Sequence, residues 1–362
     1  MDTPSHSKKI PVAILGATGS VGQKFVELLA DHPWFEIVAL CASERSVAKP
    51  YGEAARWFMQ SPLLQKYAQM IVQECAPVMP AKIVFSGLDS GVAGEIETSF
   101  ARAGYVVISN SKNHRWDADV PLIVPEINAD HLGLLSLQKF GGGGTPRFGG
   151  GAIVTNPNCS TIGLVMALKP LVDAFGVEAV NVVTLQALSG AGYPGVPSLD
   201  ILDNVVPYIG DEDEKIEEEP RKILGHFNVD KVDMLDIPVS AQANRVAVLD
   251  GHTECVQVRL KKKATKEEIL AAWAHFKGKP QEMNLPTAPL QPIHYFQEDM
   301  YPQPKLHRAL DKAMAVSIGR LRPCKIFDWK FVVLSHNTVR GAAGGTILIA
   351  EMMLEMGLIT AD

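Results

Sequence analysis

The sequence predicts an α/β protein of two domains, an N-terminal one built on a parallel sheet and an α+β one built on a mainly antiparallel sheet. The chain has 362 residues, 47% of them hydrophobic, which is more than one ordinary hydrophobic core accommodates. In the first half, short β-branched runs alternate with crossover segments, as in a parallel sheet covered by helices on both faces. Residues 254–260 (ECVQVRL) instead alternate apolar with polar side chains, which is typical of an antiparallel strand with one wet face.

The order of the predicted elements places the domain boundaries. Strands are predicted over residues 11–15, 37–41, 83–85, 106–108 and 153–155 in the first half, and over 181–188, 253–261 and 327–334 in the second. Helices are predicted over residues 23–30, after Cys159, over the charged stretch 211–224 and late in residues 341–356. We therefore expect a first domain of residues 1–157, completed by 336–362, and a second of residues 158–335. The glycine-rich stretch 138–151 predicts a flexible surface loop.

Composition and charge argue against several classes of function. The formal net charge is −6 and the one basic run is residues 261–263, so the clustered cations that bind nucleic-acid phosphates are missing and no nucleic-acid partner is expected. No stretch approaches the ~20 apolar residues of a membrane helix, and the N-terminus carries no signal-peptide pattern. We therefore expect a cytoplasmic protein with no membrane partner. Five widely spaced cysteines without a Cys-x-x-Cys pair favour reduced thiols over disulfides or structural zinc, and we predict no metal.

A glycine motif directly after the first strand predicts a Rossmann-type dinucleotide site. Gly16, Gly19 and Gly22 follow the spacing G-x-x-G-x-x-G between a strand and a helix, which supplies the tight turn and the helix N-terminus that a pyrophosphate needs. Thr18, Ser20 and Val21 complete this turn. The second strand is followed by Ser43, Arg45 and Ser46, and a guanidinium with hydroxyl groups suits a ribose 2′-phosphate. This pattern favours NADP over NAD, although Glu44 also stands there.

Cys159 is the strongest candidate for a catalytic residue. It lies in the polar frame Asn156-Pro-Asn-Cys-Ser-Thr161, where an apolar helix begins. The positive end of the helix dipole and the free N–H groups there are expected to lower the pKa of its thiol. Such a nucleophile needs a proton carrier, and His252, on a glycine turn between strand-like runs, is the first candidate. His226, His307 and His336 are the next candidates, and position alone does not decide among them.

Five motifs in order resemble those of one enzyme family. GATGSVG, NPNCST, LQALSGAGYPG, NRVAVLDGHTE and NTVRGAAGG span almost the whole chain, and together they resemble aspartate-semialdehyde dehydrogenase of the branch found in fungi and archaea. The resemblance implies that Cys159 attacks the acyl phosphate of β-aspartyl phosphate, that phosphate leaves, and that NADPH reduces the thioester to aspartate semialdehyde. The step would serve the biosynthesis of lysine, methionine, threonine and isoleucine. His252 would be the acid–base residue, and Gln186 would orient the reacting groups.

The same resemblance implies the residues that bind substrate and cofactor. Arg245 would hold the substrate carboxylate in a bidentate contact, and Glu219 would receive the amino group, with a register uncertain by one or two residues. Arg115, Asn158 and Lys222 would bind the phosphate. The nicotinamide end of NADP would lie near Ser86, Gly87, Leu88, Ser189, Gly190 and Asn337. The glycine-rich segment 140–151 is longer than the family pattern leads us to expect.

Three other functions stay open at this point. N-acetyl-γ-glutamyl-phosphate reductase shares the dinucleotide turn, the thiol and the histidine, but its acylated substrate would not require an acidic residue such as Glu219. Acyl-CoA reduction is a second alternative. A non-catalytic NADP-binding sensor, in which Cys159 is inert, is a third. By resemblance we also expect a homodimer or homotetramer, with the second sheet as the dimer face.

Overall fold

The computed structural model describes residues 8–140 and 150–359. The first sheet has six strands, all parallel, in the order β3-β2-β1-β4-β5-β6. These strands are β1 (Ile10–Leu15), β2 (Phe35–Ala42), β3 (Gln73–Glu74), β4 (Ile83–Ser86), β5 (Val106–Ser109) and β6 (Ala152–Thr155). The chain order reverses at β1, which lies between β2 and β4, and ligands of open α/β sheets bind at such a reversal.

Helices cover this sheet because their apolar stripes pack on its buried strands. The helices of this part of the chain are α1 (Ser20–Leu29), α2 (Tyr51–Ala54), α3 (Gln65–Ala68) and α4 (Ser90–Arg102), with a 3₁₀ segment at Ala129–Leu137. In α1 the buried side chains Phe25, Val26 and Leu29 recur at helical spacing. They join the core of the first sheet, which also contains buried residues of the C-terminal helix.

The second sheet has six strands in the order β10-β7-β11-β14-β13-β12. Its central pairings, β7–β11, β11–β14 and β13–β14, are antiparallel, whereas the edge strands β10 and β12 pair in parallel. The strands are β7 (Val177–Gln186), β10 (Val239–Arg245), β11 (His252–Leu260), β12 (Ile293–Phe296), β13 (Val316–Pro323) and β14 (Trp329–Ser335), and β8 (His226–Asn228) with β9 (Lys231–Asp233) forms a small hairpin. The prediction of a parallel sheet followed by a mainly antiparallel one is confirmed.

Long helices of the second half pack on one face of this sheet. They are α5 (Cys159–Phe175), α7 (Glu212–Ile223) and α8 (Lys266–His275), and the shorter ones are α6 (Ser198–Ile201), α9 (Lys279–Glu282), α10 (Pro304–His307) and α11 (Leu310–Ala313). The fully buried Trp273 of α8 donates from its indole nitrogen to the Ala167 carbonyl of α5 at 2.9 Å. A π-helical turn, Val339–Ala343, leads into α12 (Gly344–Glu355), whose buried residues pack into the core of the first sheet.

Three parts of the sequence lie outside the described residues, namely 1–7, 141–149 and 360–362. Most of the predicted glycine-rich loop falls in the second of these. Within residues 8–140 and 150–359, no helix combines the length and apolar character needed to cross a membrane. The same residues contain no group of three or more histidine, cysteine or carboxylate side chains arranged to hold a metal ion.

Candidate active site

The turn between β1 and α1 brings three glycines close together. Gly16 has a φ of +75°, which favours glycine, and its carbonyl oxygen accepts a hydrogen bond from Gly19 N at 3.0 Å. A Cβ atom at Gly22 would lie 2.1 Å from that oxygen. Gly19 is the N-cap of α1 and offers no side chain to cap it, so the first N–H groups of the helix stay open to an anion. The turn has the shape that a dinucleotide pyrophosphate needs.

The turn after β2 lies beside this glycine turn. Ser43 and Arg45 are exposed there, and Ser46 N donates to Ser43 O at 2.8 Å. These side chains are free to contact a ribose phosphate.

The segment after β4 meets the glycine turn through its backbone. A Cβ atom at Gly16 would lie 2.7 Å from Gly87 O and 3.1 Å from Leu88 N. Ser86, however, is fully buried and its hydroxyl donates to Glu97 Oε1 at 2.6 Å. The Ser86 hydroxyl is thus engaged inside the domain, and the position of Ser86, Gly87 and Leu88 near the nicotinamide end of NADP stays a prediction.

A cavity of about 560 Å³ opens between the first turns of α1 and the segment that follows β7. Ser20, Ser189 and Thr338 line it, and Ser189 Oγ accepts a hydrogen bond from Asn337 Nδ2 at 2.8 Å. Asn337 Oδ1 in turn accepts from Gly251 N at 2.9 Å, next to His252. The cavity thus connects the dinucleotide turn with the strand that carries the candidate acid–base residue.

Cys159 is the first residue of α5, as the sequence predicts. The side chain of Asn158 caps the helix, because its Oδ1 accepts from Ser160 N at 2.9 Å and from Thr161 N at 3.2 Å. Asn158 Nδ2 donates to both carboxylate oxygens of Glu212, at 3.0 and 2.9 Å. These contacts give the Asn158 side chain a capping role and a link to Glu212, and its contact with phosphate stays a prediction.

Cys159, at the start of α5, contacts His252, at the start of β11. The sulfur lies 3.1 Å from His252 Nε2. His252 Nδ1 accepts a hydrogen bond from Ala187 N at 3.0 Å, so the neutral ring carries its proton on Nε2 and points it at the sulfur. Gly190 lies beside the pair, and a Cβ atom there would approach His252 Cε1 to 3.2 Å and Arg245 Nη1 to 2.8 Å. A side chain at position 190 would therefore fill the space beside His252 and Arg245.

Burial sets the protonation of this pair. Burial and the nearby Glu212 carboxylate raise the pKa of the Cys159 thiol to about 12, although Arg245 and Arg115 act in the opposite direction. Burial and Arg245 lower the pKa of His252 to about 3. The prediction that the helix N-terminus lowers the pKa of the thiol is therefore wrong, since desolvation outweighs the dipole. At neutral pH both groups are uncharged.

Two charged residues that sequence reasoning missed lie in the site, on the first turn of α7. Glu212 Oε2 accepts from Gln186 Nε2 at 3.1 Å, and Glu212 Oε1 accepts from Lys215 Nζ at 2.9 Å. Burial acts to raise the pKa of Glu212, but Lys215, Asn158 and Gln186 outweigh it and hold that pKa below its ordinary value. Glu212 is therefore an ionised carboxylate close to Cys159.

Arg245 ends β10 directly beside the catalytic pair. One of its nitrogens, Nη1, donates to the Ala187 carbonyl at 2.7 Å, which fixes the guanidinium beneath Gly190. The side chain is mostly buried, and it acts on the Cys159 thiol electrostatically. A guanidinium held from one side in this way can bind a carboxylate with its remaining donors.

Glu219 and Lys222 both contact Arg115. The fully buried Glu219 accepts from Arg115 Nη1 through Oε1 and from Asn158 N through Oε2, both at 2.7 Å. Lys222 Nζ donates to the carbonyls of Arg115, Asp117 and Val120 at 2.7, 3.2 and 3.0 Å. Glu219 thus holds Arg115 and the backbone of Asn158, and all three protons of the Lys222 ammonium have carbonyl partners. Their contacts with the substrate stay predictions.

Comparison with known proteins places this site in a family. Residues 11–135 match a model of the semialdehyde dehydrogenase NAD binding domain, and residues 168–340 match the semialdehyde dehydrogenase dimerisation domain. An aspartate-semialdehyde dehydrogenase of Archaeoglobus fulgidus is 49% identical over 96% of this chain and 99% of the relative. One from Schizosaccharomyces pombe is 48% identical over 96% and 99%.

Solved structures agree with the sequence relatives. The aspartate semialdehyde dehydrogenase of Candida albicans, determined with NADP, superposes with a TM-score of 0.87 at 44% identity, covering 96% of this chain and 98% of that one. The aspartate semialdehyde dehydrogenase II of Vibrio cholerae, complexed with ASA, has a TM-score of 0.73 at 27% identity over the same shares. The chain therefore belongs to the aspartate-semialdehyde dehydrogenase family.

Proposed function

We propose that this chain catalyses the NADP-dependent reductive dephosphorylation of β-aspartyl phosphate to aspartate semialdehyde, through a thioester on Cys159. The observation that carries the proposal is the contact of 3.1 Å between Cys159 Sγ and His252 Nε2, flanked by Arg245 and the Glu212 carboxylate. A thiol, a hydrogen-bond donor and both signs of charge are what an acyl transfer to sulfur on an amino-acid substrate requires.

The glycine turn between β1 and α1 supports the assignment of NADP as the cofactor. Its two close approaches, Gly22 to Gly16 O and Gly16 to Gly87 O, leave room only for backbone, and the open N-terminus of α1 suits a pyrophosphate. Ser43, Arg45 and Ser46 would hold the 2′-phosphate that distinguishes NADP from NAD. When bound, NADPH supplies the hydride that reduces the thioester carbonyl. Ser189, Gly190 and Asn337 would lie at its nicotinamide end.

The charged groups suggest how the substrate is held. Arg245 would bind the α-carboxylate with the donors that do not contact Ala187. Glu212, an ionised carboxylate beside Gln186, would receive the α-ammonium group in place of Glu219. Arg115, whose buried Nε has no hydrogen-bond partner among the described residues, and Lys215 would face the phosphate.

The first chemical step joins sulfur to carbon. The Cys159 sulfur attacks the acyl carbon, and the C–O bond to the phosphate breaks with its electron pair on the leaving phosphate. That phosphate takes up the proton which the thiol loses, so the exchange balances. His252 Nε2–H donates to the sulfur and stabilises the thiolate in the transition state. After reduction, the former carbonyl oxygen takes a proton from solvent, which gives a neutral thiohemiacetal. Its C–S bond then breaks, the hydroxyl proton passes through His252 Nε2 to the sulfur, the aldehyde leaves, and the Cys159 thiol is restored.

The other functions that the sequence left open lack a supporting observation. N-acetyl-γ-glutamyl phosphate has no free amino group, and an ionised carboxylate beside Gln186 would gain no partner from it. The relatives named above are aspartate-semialdehyde dehydrogenases. A sensor with an inert cysteine gives no reason for the contact between Cys159 Sγ and His252 Nε2.

Assembly and location are part of the proposal. The match of residues 168–340 to a dimerisation domain supports a homodimer or homotetramer that uses the outer face of the second sheet. Thr253, Cys255 and Gln257 of β11 lie on that face and alternate with buried residues. The unpaired cysteines support a reducing compartment, the cytoplasm. Light scattering coupled to gel filtration distinguishes two chains from four.

The test is NADPH formation from aspartate semialdehyde and phosphate. We expect turnover that requires phosphate, is abolished by Cys159→Ala and is kept by Cys324→Ala, a matched variant at a distant hairpin. N-acetylglutamate semialdehyde should be a poor substrate. Turnover of that acetylated aldehyde at a higher kcat/KM would overturn the substrate assignment, and full activity of Cys159→Ala would overturn the mechanism.

A further inference from the structure

A second acidic residue lies below the catalytic pair, on the strand that carries His252. Glu254 follows His252 by two positions on β11, so the two side chains point to the same face of the sheet. That face meets α5. A Cβ atom added at Gly163, four residues after Cys159, would lie 3.2 Å from Glu254 Oε1 and 2.7 Å from Ser335 Oγ. The Glu254 carboxyl and the Ser335 hydroxyl therefore lie one helical turn beneath the nucleophile.

These groups belong to a cluster of buried polar atoms. Within residues 8–140 and 150–359, neither Glu254 oxygen has a hydrogen-bond partner, and the same holds for the hydroxyls of Ser335, Ser160 and Thr161. Ser160 shares a helix face with Gly163, three residues later. Buried polar atoms are normally hydrogen-bonded, to protein or to ordered water. These unpartnered groups therefore form a buried polar layer between the first turn of α5 and the strands β11 and β14.

The surroundings of Glu254 disfavour a negative charge. The residue is 1% exposed, and no lysine, arginine or histidine contacts its carboxyl within the described residues. An isolated buried carboxylate is far more costly than a neutral acid. Burial accordingly raises the pKa of the Glu254 carboxyl well above its ordinary value. The titratable groups nearest along the two packed elements, His252 and Cys159, are themselves uncharged at neutral pH.

We propose that Glu254 is a neutral carboxylic acid that positions the first turn of α5, and with it Cys159, against the strand that carries His252. Its O–H donates and its carbonyl oxygen accepts through ordered water shared with the hydroxyls of Ser335 and Ser160, because no direct hydrogen bond joins these groups. Cys159 belongs to α5 and His252 to β11, so their contact depends on the distance between this helix and this strand. The buried side chains of Glu254, Ser335 and Ser160 lie between the two elements and set that distance. Glu254 touches no substrate and is a positioning residue.

The kinetic test of this proposal rests on the proposed function, whereas the spectroscopic test does not. Glu254→Gln keeps one donor and one acceptor group without a charge, whereas Glu254→Leu keeps the size and removes the hydrogen bonds. Glu95→Leu, the same substitution at an exposed position of α4, is the control. We expect Glu254→Gln to keep kcat within about twofold and Glu254→Leu to lower it about 10- to 100-fold with KM nearly unchanged, because small displacements of reacting groups are costly.

Infrared difference spectroscopy of wild type against Glu254→Gln tests the neutral state directly. We expect the carbonyl stretching band of a protonated carboxyl group at pH 8, lost in the variant. A carboxylate band instead would overturn the proposal, even if Glu254→Leu failed to fold. Loss of kcat in Glu254→Gln as large as in Glu254→Leu would also overturn it. If wild type failed to turn over the semialdehyde, the proposed function would fall while the infrared result would still decide the state of Glu254.

Discussion

Replacing Glu219 by alanine should destabilise the fold without acting as the loss of a substrate ligand. Glu219 is fully buried, and it accepts hydrogen bonds from Arg115 Nη1 and Asn158 N, both at 2.7 Å. Its removal leaves a buried guanidinium without its counter-charge, which costs about 3–5 kcal/mol of unfolding free energy. That is a large part of the ~5–15 kcal/mol that stabilises a typical protein.

The same helix offers a matched control. Glu218 precedes Glu219 and pairs with Arg221 at 2.8 Å, but the two side chains are 50% and 35% exposed. An exposed pair of this kind contributes about 0–1 kcal/mol. Glu218→Ala removes the same number of atoms and the same charge from α7, so the difference between the variants isolates the effect of burial.

Urea unfolding followed by tryptophan fluorescence provides the measurement, because Trp34 and Trp273 are buried in the two cores. We expect the unfolding midpoint of Glu219→Ala to fall well below that of Glu218→Ala, and we expect KM for the semialdehyde to change little under conditions where the variant is folded. Equal midpoints would refute the structural role. A large rise in KM at unchanged stability would return Glu219 to the role of ammonium ligand.

Three further predictions follow from the site. Iodoacetamide should alkylate Cys159 about tenfold faster per pH unit between pH 7 and 9, since burial holds the pKa of the thiol near 12. The rate measured with Cys159→Ser is subtracted as background. A plateau of the rate near pH 7 would show that the helix dipole dominates. Gly163→Ala should cost about 1–3 kcal/mol in thermal unfolding, because the new methyl group meets Ser335 Oγ at 2.7 Å, and a Ser335→Ala background should reduce that cost. Gly190→Ala should abolish turnover, because its methyl group enters the space between Arg245 and His252, but the variant should unfold near the wild-type temperature. Activity near that of wild type would contradict the need for this open space.

The sequence predicted the first sheet well because its strands are short, continuous apolar runs. All four residues of each of β4, β5 and β6 are buried, and such runs are visible without knowledge of their partners. The edge strand β10 (VSAQANR) was not predicted, since only its last three residues are buried and alanine and asparagine are weak strand formers. It becomes a strand because β7 offers an edge to pair with, which is a tertiary effect.

The acid proposed to bind the ammonium group of the substrate could not be chosen from the sequence, because α7 repeats one pattern. Glu-x-x-Lys occurs at Glu212 and Lys215 and again at Glu219 and Lys222. The two copies are seven residues apart, about two helical turns, so they lie on the same helix face and both glutamates are buried. Their tertiary partners distinguish them, because Glu212 contacts Gln186 and Glu219 pairs with Arg115.

The protonation state of Cys159 also could not be predicted from the sequence, because it depends on the burial of the thiol by other elements. The sequence reveals that the thiol begins a helix, and a dipole at that place favours the thiolate by about 0.3–1 kcal/mol, or up to ~2 kcal/mol when partly buried. How far the sulfur is desolvated depends on side chains from β7, β11 and the π-helical turn, whose Gly341 would place a Cβ atom 2.8 Å from Cys159 Cβ. A shift of the thiol pKa to about 12 exceeds the dipole's contribution, since each pKa unit corresponds to about 1.4 kcal/mol. The thiol therefore stays protonated until a substrate brings a proton acceptor, and the nucleophile is activated where its target is bound.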